Sequence, residues 1–384
     1  MKQRKQMSEK TVIIVFPTIF SLNKIDCLIS NISKILKMKN QSYDKIQQND
    51  SVIIINAKDP VIASSIIGAL FGIERIAIAT EVENSFESVL SNIAKVGSNL
   101  LLKGEKFLIK IEGQAARYIP KDLELAATSL LIEKTSHLQT KPGSETSYDK
   151  LLYTYLTKSH AYICIFIDKG NGGIAYNSHN EKIFCCIYDE FSAITCLQII
   201  KMGFEPKILI CYQSEPDLLN IVKMINQILS HIIQDKVELQ FCKLSLKSSG
   251  SSSVLFKIAA ITEILTVLAT KTKIERISVA VSSLIFPSWF VEYNAKVVLK
   301  KKQIPWFPLL GVDDSIFKNA SELGLEKYMS RIQSLCKLRF RSNNIQQDKI
   351  RKISLIAIKT RKIIMVKTGT KNVHDIIDSI KSKH

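Results

Sequence analysis

The sequence lacks the features that mark an exported, membrane-spanning or metal-binding protein. Its apolar run at residues 61–73 is interrupted by two serines and two glycines and is shorter than the ~20 residues of a membrane span, so we expect a buried helix there. The apolar stretch after the basic N-terminus, residues 12–16, is shorter than a signal-peptide core of ~7–15 residues. The eight cysteines show no C-x-x-C spacing, and the six histidines show no metal-ligand spacing. We therefore expect a cytoplasmic protein with reduced cysteines, no membrane contact and no metal.

Glycine is scarce where phosphate chemistry would need it. A phosphate-binding loop uses glycines so that backbone amides can curl around the anion at the start of a helix. No glycine occurs between Gly173 and Gly203. The Ser/Gly stretch at residues 247–253 lacks the Gly-Lys-Ser/Thr ending of a P-loop, and we interpret it as a surface loop.

Positive charge is what the sequence has in excess. Lys and Arg exceed Asp and Glu by 18. A surplus of this size favours polyanionic partners, although a lysine-rich surface without RNA contact is an equally good explanation of the total. The distribution favours a partner, because residues 331–384 hold 14 basic and three acidic side chains, a net charge of +11.

The spacing of apolar residues predicts an α/β protein whose first two blocks are small. The first block has strands at residues 11–16, 51–56 and 73–80 and helices at 25–37 and 60–71, an order that indicates an N-terminal ferredoxin-like α+β unit. The second block has strands at 106–111 and 161–167 and helices at 85–96 and 121–133. Residues 168–173, Asp-Lys-Gly-Asn-Gly-Gly, predict a loop and a domain boundary.

The third block alternates strands and helices regularly. Its strands are predicted at 183–187, 207–212, 236–244 and 276–281, and its helices at 192–202, 216–234 and 252–270. Apolar strands between helices indicate a Rossmann-like, doubly wound parallel sheet. In the tail we predict two strands, 353–358 and 363–367, joined by a basic turn, and a closing helix at 372–381.

Three segments carry a resemblance to a known family. They are Gly-Ile-Glu-Arg-Ile at residues 72–76 with Glu-Val-Glu at 81–83, Gly-Asn-Gly-Gly-Ile at 170–174, and Ile-Pro-Trp-Phe-Pro-Leu-Leu-Gly-Val-Asp-Asp at 304–314, continuing to Gly324. In this order, over roughly residues 10–335, the chain resembles the tRNA 4-thiouridine synthase family. The resemblance implies a ferredoxin-like domain at 8–80, a THUMP RNA-binding α/β domain at 81–175, a PP-loop ATP-pyrophosphatase-like domain at 180–335 and a basic C-terminal extension at 336–384.

The nucleotide site of that family is degenerate in this sequence. Where the family has Ser-Gly-Gly-x-Asp-Ser, this chain reads Tyr-Asp-Glu-Phe-Ser at 188–192, and only Ser192 remains as a nucleotide-binding candidate that caps the helix and faces a ligand. The carboxylates of Asp189 and Glu190 would repel phosphate. The family's Gly-Glu-x-x-Gly-Gln falls at residues 281–286, where none of its signature residues is present. We expect no cofactor, and ATP only if this divergent loop functions.

Sulfur transfer in the family also needs a reactive cysteine. Cys336 lies about where the family places it, and the neighbouring Lys337 and Arg339 favour a thiolate. A single cysteine without a resolving partner nearby is more often structural, so Cys336 is a catalytic candidate and no more.

For RNA, the resemblance implies recognition of the acceptor end of tRNA. Basic side chains pair with phosphates, glycine amides approach the RNA backbone closely, and Tyr118 is a candidate to stack on an unpaired base. The candidate RNA-binding residues are Lys103, Lys106, Lys110, Arg117, Lys121, Lys169, Gly172, Gly173, Lys359, Arg361 and Lys362.

Three functions remain open from the sequence. The favoured one is a protein that binds tRNA or a tRNA-like RNA, related to tRNA thiolation enzymes, whose ATP-dependent catalysis is lost or reduced and whose third domain is a scaffold or dimerisation surface. The second is a working ATP-dependent tRNA sulfurtransferase with a divergent loop, and the third is a non-catalytic subunit that binds a protein partner. An open cleft at residues 188–192 would favour the enzyme, and a cleft filled by Phe191, Phe286 or Trp289 would favour the scaffold.

Overall fold

The protein forms two compact units, Met1–Ile174 (unit 1) and Ala175–His384 (unit 2). The computed structural model describes residues 10–115, 117–246, 251–310, 321, 324, 329–340, 346–368 and 376–378. Each unit is built on one β-sheet, with eight strands in unit 1 and six in unit 2 among these residues. Most of the third family-like segment, residues 311–320, lies outside the described residues.

The described part of unit 1 combines eight strands with four helices. The strands are β1 (Lys10–Pro17), β2 (Tyr43–Asn49), β3 (Val52–Ala57), β4 (Ile73–Glu83), β5 (Lys106–Gly113), β6 (Lys141–Pro142), β7 (Lys150–Leu156) and β8 (His160–Gly172). The helices are α1 (Ile25–Met38), α2 (Pro60–Gly68), α3 (Phe86–Leu100) and α4 (Pro120–Lys134). Short 3₁₀ turns cover Leu22–Lys24 and Ser136–Leu138. The strand order is β2-β3-β1-β4-β8-β7-β5-β6.

The first half of unit 1 is the predicted ferredoxin-like unit. β1 pairs with β3 and β4, and β2 pairs with β3, all antiparallel, which gives the order β2-β3-β1-β4. The sequence analysis missed β2, because its polar residues, Tyr-Asp-Lys-Ile-Gln-Gln-Asn, show no apolar alternation. β2 forms at the edge of the sheet through its pairing with β3.

β8 connects the two halves of unit 1. It pairs antiparallel with β4 from Ile73 beside Gly172 to Glu83 beside His160, and with β7 on its other side. Residues 168–172, predicted to be a loop, therefore continue β8, since β4 supplies their hydrogen-bonding partner. Residues 80 and 81, between the first two predicted blocks, both lie within β4, so the two blocks share one sheet.

The two faces of this sheet are buried in different ways. On one face α3 and α4 pack over β5 and β7, and Val89, Leu131 and Phe107 belong to one buried apolar cluster. On the other face Phe16 of β1 contacts Tyr153 and Tyr155 of β7, with ring centroids 6.0 and 5.1 Å apart. Because β4 and β8 lie between β1 and β7, this contact requires a strongly curved sheet.

The described part of unit 2 combines six strands with six helices. The strands are β9 (Lys182–Ile187), β10 (Glu205–Tyr212), β11 (Lys236–Lys243), β12 (Arg276–Ser278), β13 (Ile304–Trp306) and β14 (Lys362–Lys367). The helices are α5 (Glu190–Lys201), α6 (Glu215–Leu229), α7 (Ser251–Thr272), α8 (Ser288–Leu299), α9 (Met329–Cys336) and α10 (Gln347–Lys359).

The sheet of unit 2 is Rossmann-like. Its order is β13-β12-β9-β10-β11-β14, in which β14 alone is antiparallel to its neighbour. Cys185 contacts Cys196 of α5, whereas the next residue, Cys186, and Ile258 of α7 line one small void, so helices cover both faces. The chain order reverses between β9 and β12, which makes their carboxyl ends the topological switch point. The predicted fold class, α/β with a ferredoxin-like unit, a second α/β block and a doubly wound sheet, is confirmed.

The segment Ser253–Thr272 of α7 is long and apolar enough, by length and composition, to cross a membrane. It is a longer apolar segment than residues 61–73. Of its most apolar window, 61% is buried inside unit 2, where α7 packs against β9, α8 and α10. We interpret α7 as the central core helix of this unit.

The C-terminal extension differs from the prediction. Residues 353–358 belong to α10 and are not a strand. Ile350, Ser354 and Ala357 bury one side of this helix, at helical spacing. The apolar run is helical because it packs on α7, where the Ser354 hydroxyl donates to Ala260 O at 3.1 Å. The predicted strand at 363–367 is confirmed as β14, and most of the predicted helix at 372–381 lies outside the described residues.

Candidate functional site

One end of the unit 1 sheet gathers basic side chains. β5, β6 and β7 run parallel, with Lys106 beside Lys141 and Phe107 beside Lys150 at their amino ends. β8 runs antiparallel to β7, so the carboxyl end of β8 lies at the same end of the sheet. The turn before β5 adds a further lysine. We call this set the basic end: Lys103, Lys106, Lys141, Lys150 and Lys169.

The carboxylates beside the basic end accept hydrogen bonds from the backbone. Asp149 accepts from Lys106 N–H at 2.7 Å, and Asp168 accepts from Lys169 N–H at 2.7 Å. Glu105 accepts from Leu102 N–H at 2.8 Å. These three acids fix the local backbone. Glu145, in the loop between β6 and β7, is a fourth carboxylate, so the lysines exceed the acids at this end by one.

Lys110 belongs to an ion-pair network within the curved sheet. Its Nζ lies 2.9 Å from Glu112 Oε1, while Glu112 Oε2 accepts from the Tyr153 hydroxyl at 2.6 Å and from Arg75 Nη2 at 3.3 Å. Burial acts to raise the pKa of Glu112, but hydrogen bonds from Tyr153, Lys110 and Arg75 outweigh it and hold that pKa at about 2. Lys110 thus stabilises the contact between β4, β5 and β7, a structural role that sequence reasoning did not foresee.

Gly172 and Gly173 end β8 on the same side as the basic end. Both have positive φ, +66° and +73°, a conformation that favours glycine. No atom of the described residues lies within 4 Å of the position where Gly172 would carry a Cβ. The Gly172 backbone is therefore open to close approach. Gly170 differs, because a Cβ there would lie 2.4 Å from Ile73 O.

Arg117 and Lys121 lie at the opposite end of the sheet. They follow the carboxyl end of β5, which is eight residues long, about 25 Å at the rise of an extended strand. Lys121 pairs with Glu124 at 2.7 Å. Tyr118 donates its hydroxyl to Asn84 and packs edge-on against Phe86 at 5.7 Å, so its half-buried ring packs against the core. These residues follow the other end of β5 from the basic end, although Lys121 lies within electrostatic range of Glu145 in the loop between β6 and β7.

The strand-to-helix turn at the switch point of unit 2 is closed by its own hydrogen bonds. Asp189 is the N-cap of α5 and accepts from Ser192 N–H at 2.8 Å. The Ser192 hydroxyl accepts from the N–H groups of Tyr188 and Asp189, at 2.8 and 2.9 Å, and donates to Asp189 O at 2.8 Å. A hydroxyl can donate one hydrogen bond and accept two, and these three bonds use every position. Ser192 is fully buried in this capping box, and its hydroxyl has no position left for a nucleotide.

Aromatic side chains fill the space beside this turn. Phe191 and Phe286 are 2% and 3% exposed, and their rings lie 6.3 Å apart. Phe340 packs on Phe286 at 5.4 Å. Among the described residues, the buried rings of Phe191 and Phe286 pack together beside the turn, the arrangement that favours a scaffold.

The N-terminus of α5 already holds negative charge. Glu190 is buried, and its Oε1 lies 2.7 Å from Arg331 Nη1 of α9. Burial raises the pKa of Asp189, while the positive charge of Lys257 acts in the opposite direction. Since a helix N-terminus attracts anions, these carboxylates stand where a phosphate group would bind.

Cys336 ends α9 and is exposed, whereas the other seven cysteines are buried or half-buried. Burial raises the pKa of Cys164 to about 12, which keeps such a thiol inert. The accessibility that sulfur chemistry needs is therefore found at Cys336. In the described part of the chain no group of three His, Cys, Asp or Glu residues is placed to hold a metal ion.

The basic residues of the tail lie between α10 and β14, and not between two strands as predicted. Lys359 is exposed, while Arg361 and Lys362 are half-buried. Arg361 Nη1 donates to Gln240 Oε1 at 3.2 Å. Lys362 lines a cavity of about 670 Å³ at the carboxyl ends of β10 and β11. The side chains of Lys359 and Lys362 are solvent-accessible. The guanidinium of Arg361 is partly engaged by its hydrogen bond to Gln240.

Sequence reasoning missed Lys141 and Lys150. They reach Lys106 only through the parallel register of β5, β6 and β7, and β6 is two residues long. The available signal was a lysine at the start of each strand.

Comparison with known proteins identifies the fold. No known family profile and no curated protein sequence matches the chain. The crystal structure of PH1313 from Pyrococcus horikoshii Ot3 superposes with a TM-score of 0.63 at 17% identity, covering 82% of this chain and 100% of that one. A 4-thiouridine synthetase, solved as an RNA complex with bound ATP, superposes with a TM-score of 0.67 at 14% identity, covering 94% of this chain and 100% of that one. At these identities the likeness establishes the fold: the chain has the architecture of a 4-thiouridine synthetase.

Proposed function

We propose that this protein binds tRNA or a tRNA-like RNA through the basic end of unit 1. The observation that carries the proposal is the convergence of Lys106, Lys141 and Lys150 at the amino ends of three paired strands, with Lys103 in the turn before β5. Lysines pair with phosphates, and a glycine backbone lets the RNA approach closely. The shared fold with a 4-thiouridine synthetase solved in complex with RNA supports the same class of partner.

Under this proposal each part of the chain has a role. Residues 8–80 are the ferredoxin-like domain and residues 81–175 a THUMP-like domain, which bind the RNA together. Residues 180–335 are a degenerate PP-loop domain that acts as a scaffold or dimerisation surface. Residues 336–384 add phosphate contacts through Lys359 and Lys362. The protein works in the cytoplasm.

We further propose that the protein does not use ATP. Three contacts support this: the Ser192 hydroxyl is fully engaged in the helix cap, Phe191 and Phe286 pack together beside the turn, and Glu190 pairs with Arg331 at the helix N-terminus. Binding of a pyrophosphate group there would require all three to rearrange.

An active ATP-dependent tRNA sulfurtransferase is the second candidate. The exposure of Cys336 favours it, because a persulfide carrier has to be reached by its sulfur donor. In that case the loop at residues 188–192 would open when ATP binds.

The test combines RNA binding with pyrophosphate release. Purified protein should bind tRNA with the same Kd in the absence and presence of ATP and magnesium, and should release no pyrophosphate above background when tRNA is added. RNA-dependent pyrophosphate release that Ser192→Ala abolishes would support the sulfurtransferase instead. A protein that binds neither tRNA nor other structured RNA would refute the proposed function and favour a protein partner.

A further inference from the structure

The loop between β1 and α1 projects two apolar side chains into solvent. Ile19 is 71% exposed and Phe20 is 64% exposed. The residues on either side are buried, Thr18 at 8% and Ser21 at 0%. The loop is therefore held at both ends and carries an apolar tip, which we define as Ile19 and Phe20. Adjacent exposed apolar side chains on a held loop are typical of a contact surface.

The tip lies directly beside the glycine turn at the end of β8. Thr18 N–H donates to Gly72 O at 2.9 Å, and the Thr18 hydroxyl donates to Gly173 O at 2.8 Å. Gly72 N–H donates to Gly172 O at 2.7 Å, and Ser21 N–H donates back to Thr18 O at 2.9 Å. These bonds fix the backbone around Phe20, so a ligand that meets the ring does not have to order the loop.

The surroundings of the tip suit a polyanion. Lys24 follows the tip and is exposed, and Lys169 of β8 lies on the strand that ends in the glycine turn. Asp168 is also present there, with its carboxylate accepting from Lys169 N–H. No atom of the described residues lies within 4 Å of the Cβ position of Gly172. An exposed aromatic ring, flanking lysines and an open backbone are together the elements of a single-stranded nucleic-acid site, in which the ring stacks on a base and the cations meet the adjoining phosphates.

We propose that Phe20 stacks on an unpaired base of the bound RNA, with Lys24 and Lys169 beside the adjoining phosphates. This inference rests on the proposed RNA-binding function and narrows it. A continuous duplex offers no free base face, so the tip makes the protein prefer RNA that has an unpaired end or loop. Ile19 would form an apolar side wall next to the stacked base.

The test uses two RNAs that differ only in unpaired bases: one hairpin with a single-stranded 3′ extension and the same hairpin with a blunt end. Kd is measured for the wild type, for Phe20→Ala, for Phe20→Trp and for Ile62→Ala. Ile62 is a matched control, since it is a 49% exposed apolar residue in α2. Circular dichroism of each variant checks the fold.

The wild type should prefer the extended hairpin. Phe20→Ala should weaken binding of the extended hairpin roughly 5- to 150-fold, which corresponds to the 1–3 kcal/mol of one stacked base, and should leave the blunt hairpin unchanged. Phe20→Trp should retain the preference, and Ile62→Ala should bind both RNAs like the wild type.

Wild-type affinities of Phe20→Ala for both RNAs would overturn the inference, as would an equal loss for both. Either result leaves RNA binding itself intact. If the wild type bound neither RNA, the proposed function would be refuted, and the inference with it.

Discussion

Ser192 has the type of side chain that a phosphate site uses, yet its hydroxyl makes all of its hydrogen bonds within the strand-to-helix turn at residues 188–192. The sequence predicted a helix beginning here and kept Ser192 as the last candidate for nucleotide binding. The spacing Asp189-x-x-Ser192 is itself a capping signal, and with it the engaged hydroxyl was predictable. The packing of Phe286 and Phe340 against Phe191 was not, because it joins segments distant in sequence.

At the residue scale, Ser192→Ala should destabilise unit 2. The change leaves two buried N–H groups, those of Tyr188 and Asp189, without their acceptor, so we expect the free energy of unfolding to fall by about 2–4 kcal/mol. Equilibrium urea denaturation measures this. Ser214→Ala is the matched control, since Ser214 caps α6 through one exposed bond at 3.4 Å and should cost only about 0.5–1 kcal/mol. Equal costs for the two variants would argue against the buried cap.

At the scale of elements, apolar spacing predicted the regular strands and helices, and failed where a neighbour decides the structure. β2 is polar and exists because β3 pairs with it. The end of β8 is rich in glycine and remains a strand because β4 provides its partner. Residues 353–358 are mostly apolar and include three isoleucines, but packing on α7 makes them helical. In each case a tertiary contact outweighs local preference.

At the same scale, the Glu112 network should make unit 1 sensitive to acid. The pKa of Glu112 is lowered from 4.5 to about 2, so its contribution to stability is complete above its ordinary value and is lost as pH falls towards 2. The Tm of the wild type should fall more steeply than that of Glu112→Gln between pH 5 and pH 2. Glu133→Gln, at an exposed carboxylate of α4, is the control and should follow the wild type. Parallel curves for the wild type and Glu112→Gln would contradict the role of the network.

At the scale of the whole molecule, the order of blocks predicted the fold class, and the comparison with a 4-thiouridine synthetase agrees with it. The surface was harder to predict. The predicted RNA-binding residues divide between the two ends of the sheet, because Lys106 and Lys121 lie in neighbouring segments of sequence at opposite ends of β5. The lysines that join Lys106, at positions 141 and 150, follow from strand register, which linear sequence does not contain.

The salt dependence of RNA binding tests the central claim most directly. Each phosphate contact on a duplex contributes about −0.9 to the slope of log affinity against log salt concentration. A variant with Lys103, Lys106, Lys141 and Lys150 all changed to Gln should therefore bind weakly, with a slope flatter by about 2–4 units. The control changes four exposed lysines of unit 2 to Gln, namely Lys223, Lys271, Lys300 and Lys301, and loses the same net charge. A wild-type slope in the control and a flattened slope in the basic-end variant is the predicted result. Equal slopes in the two variants would contradict RNA binding at the basic end.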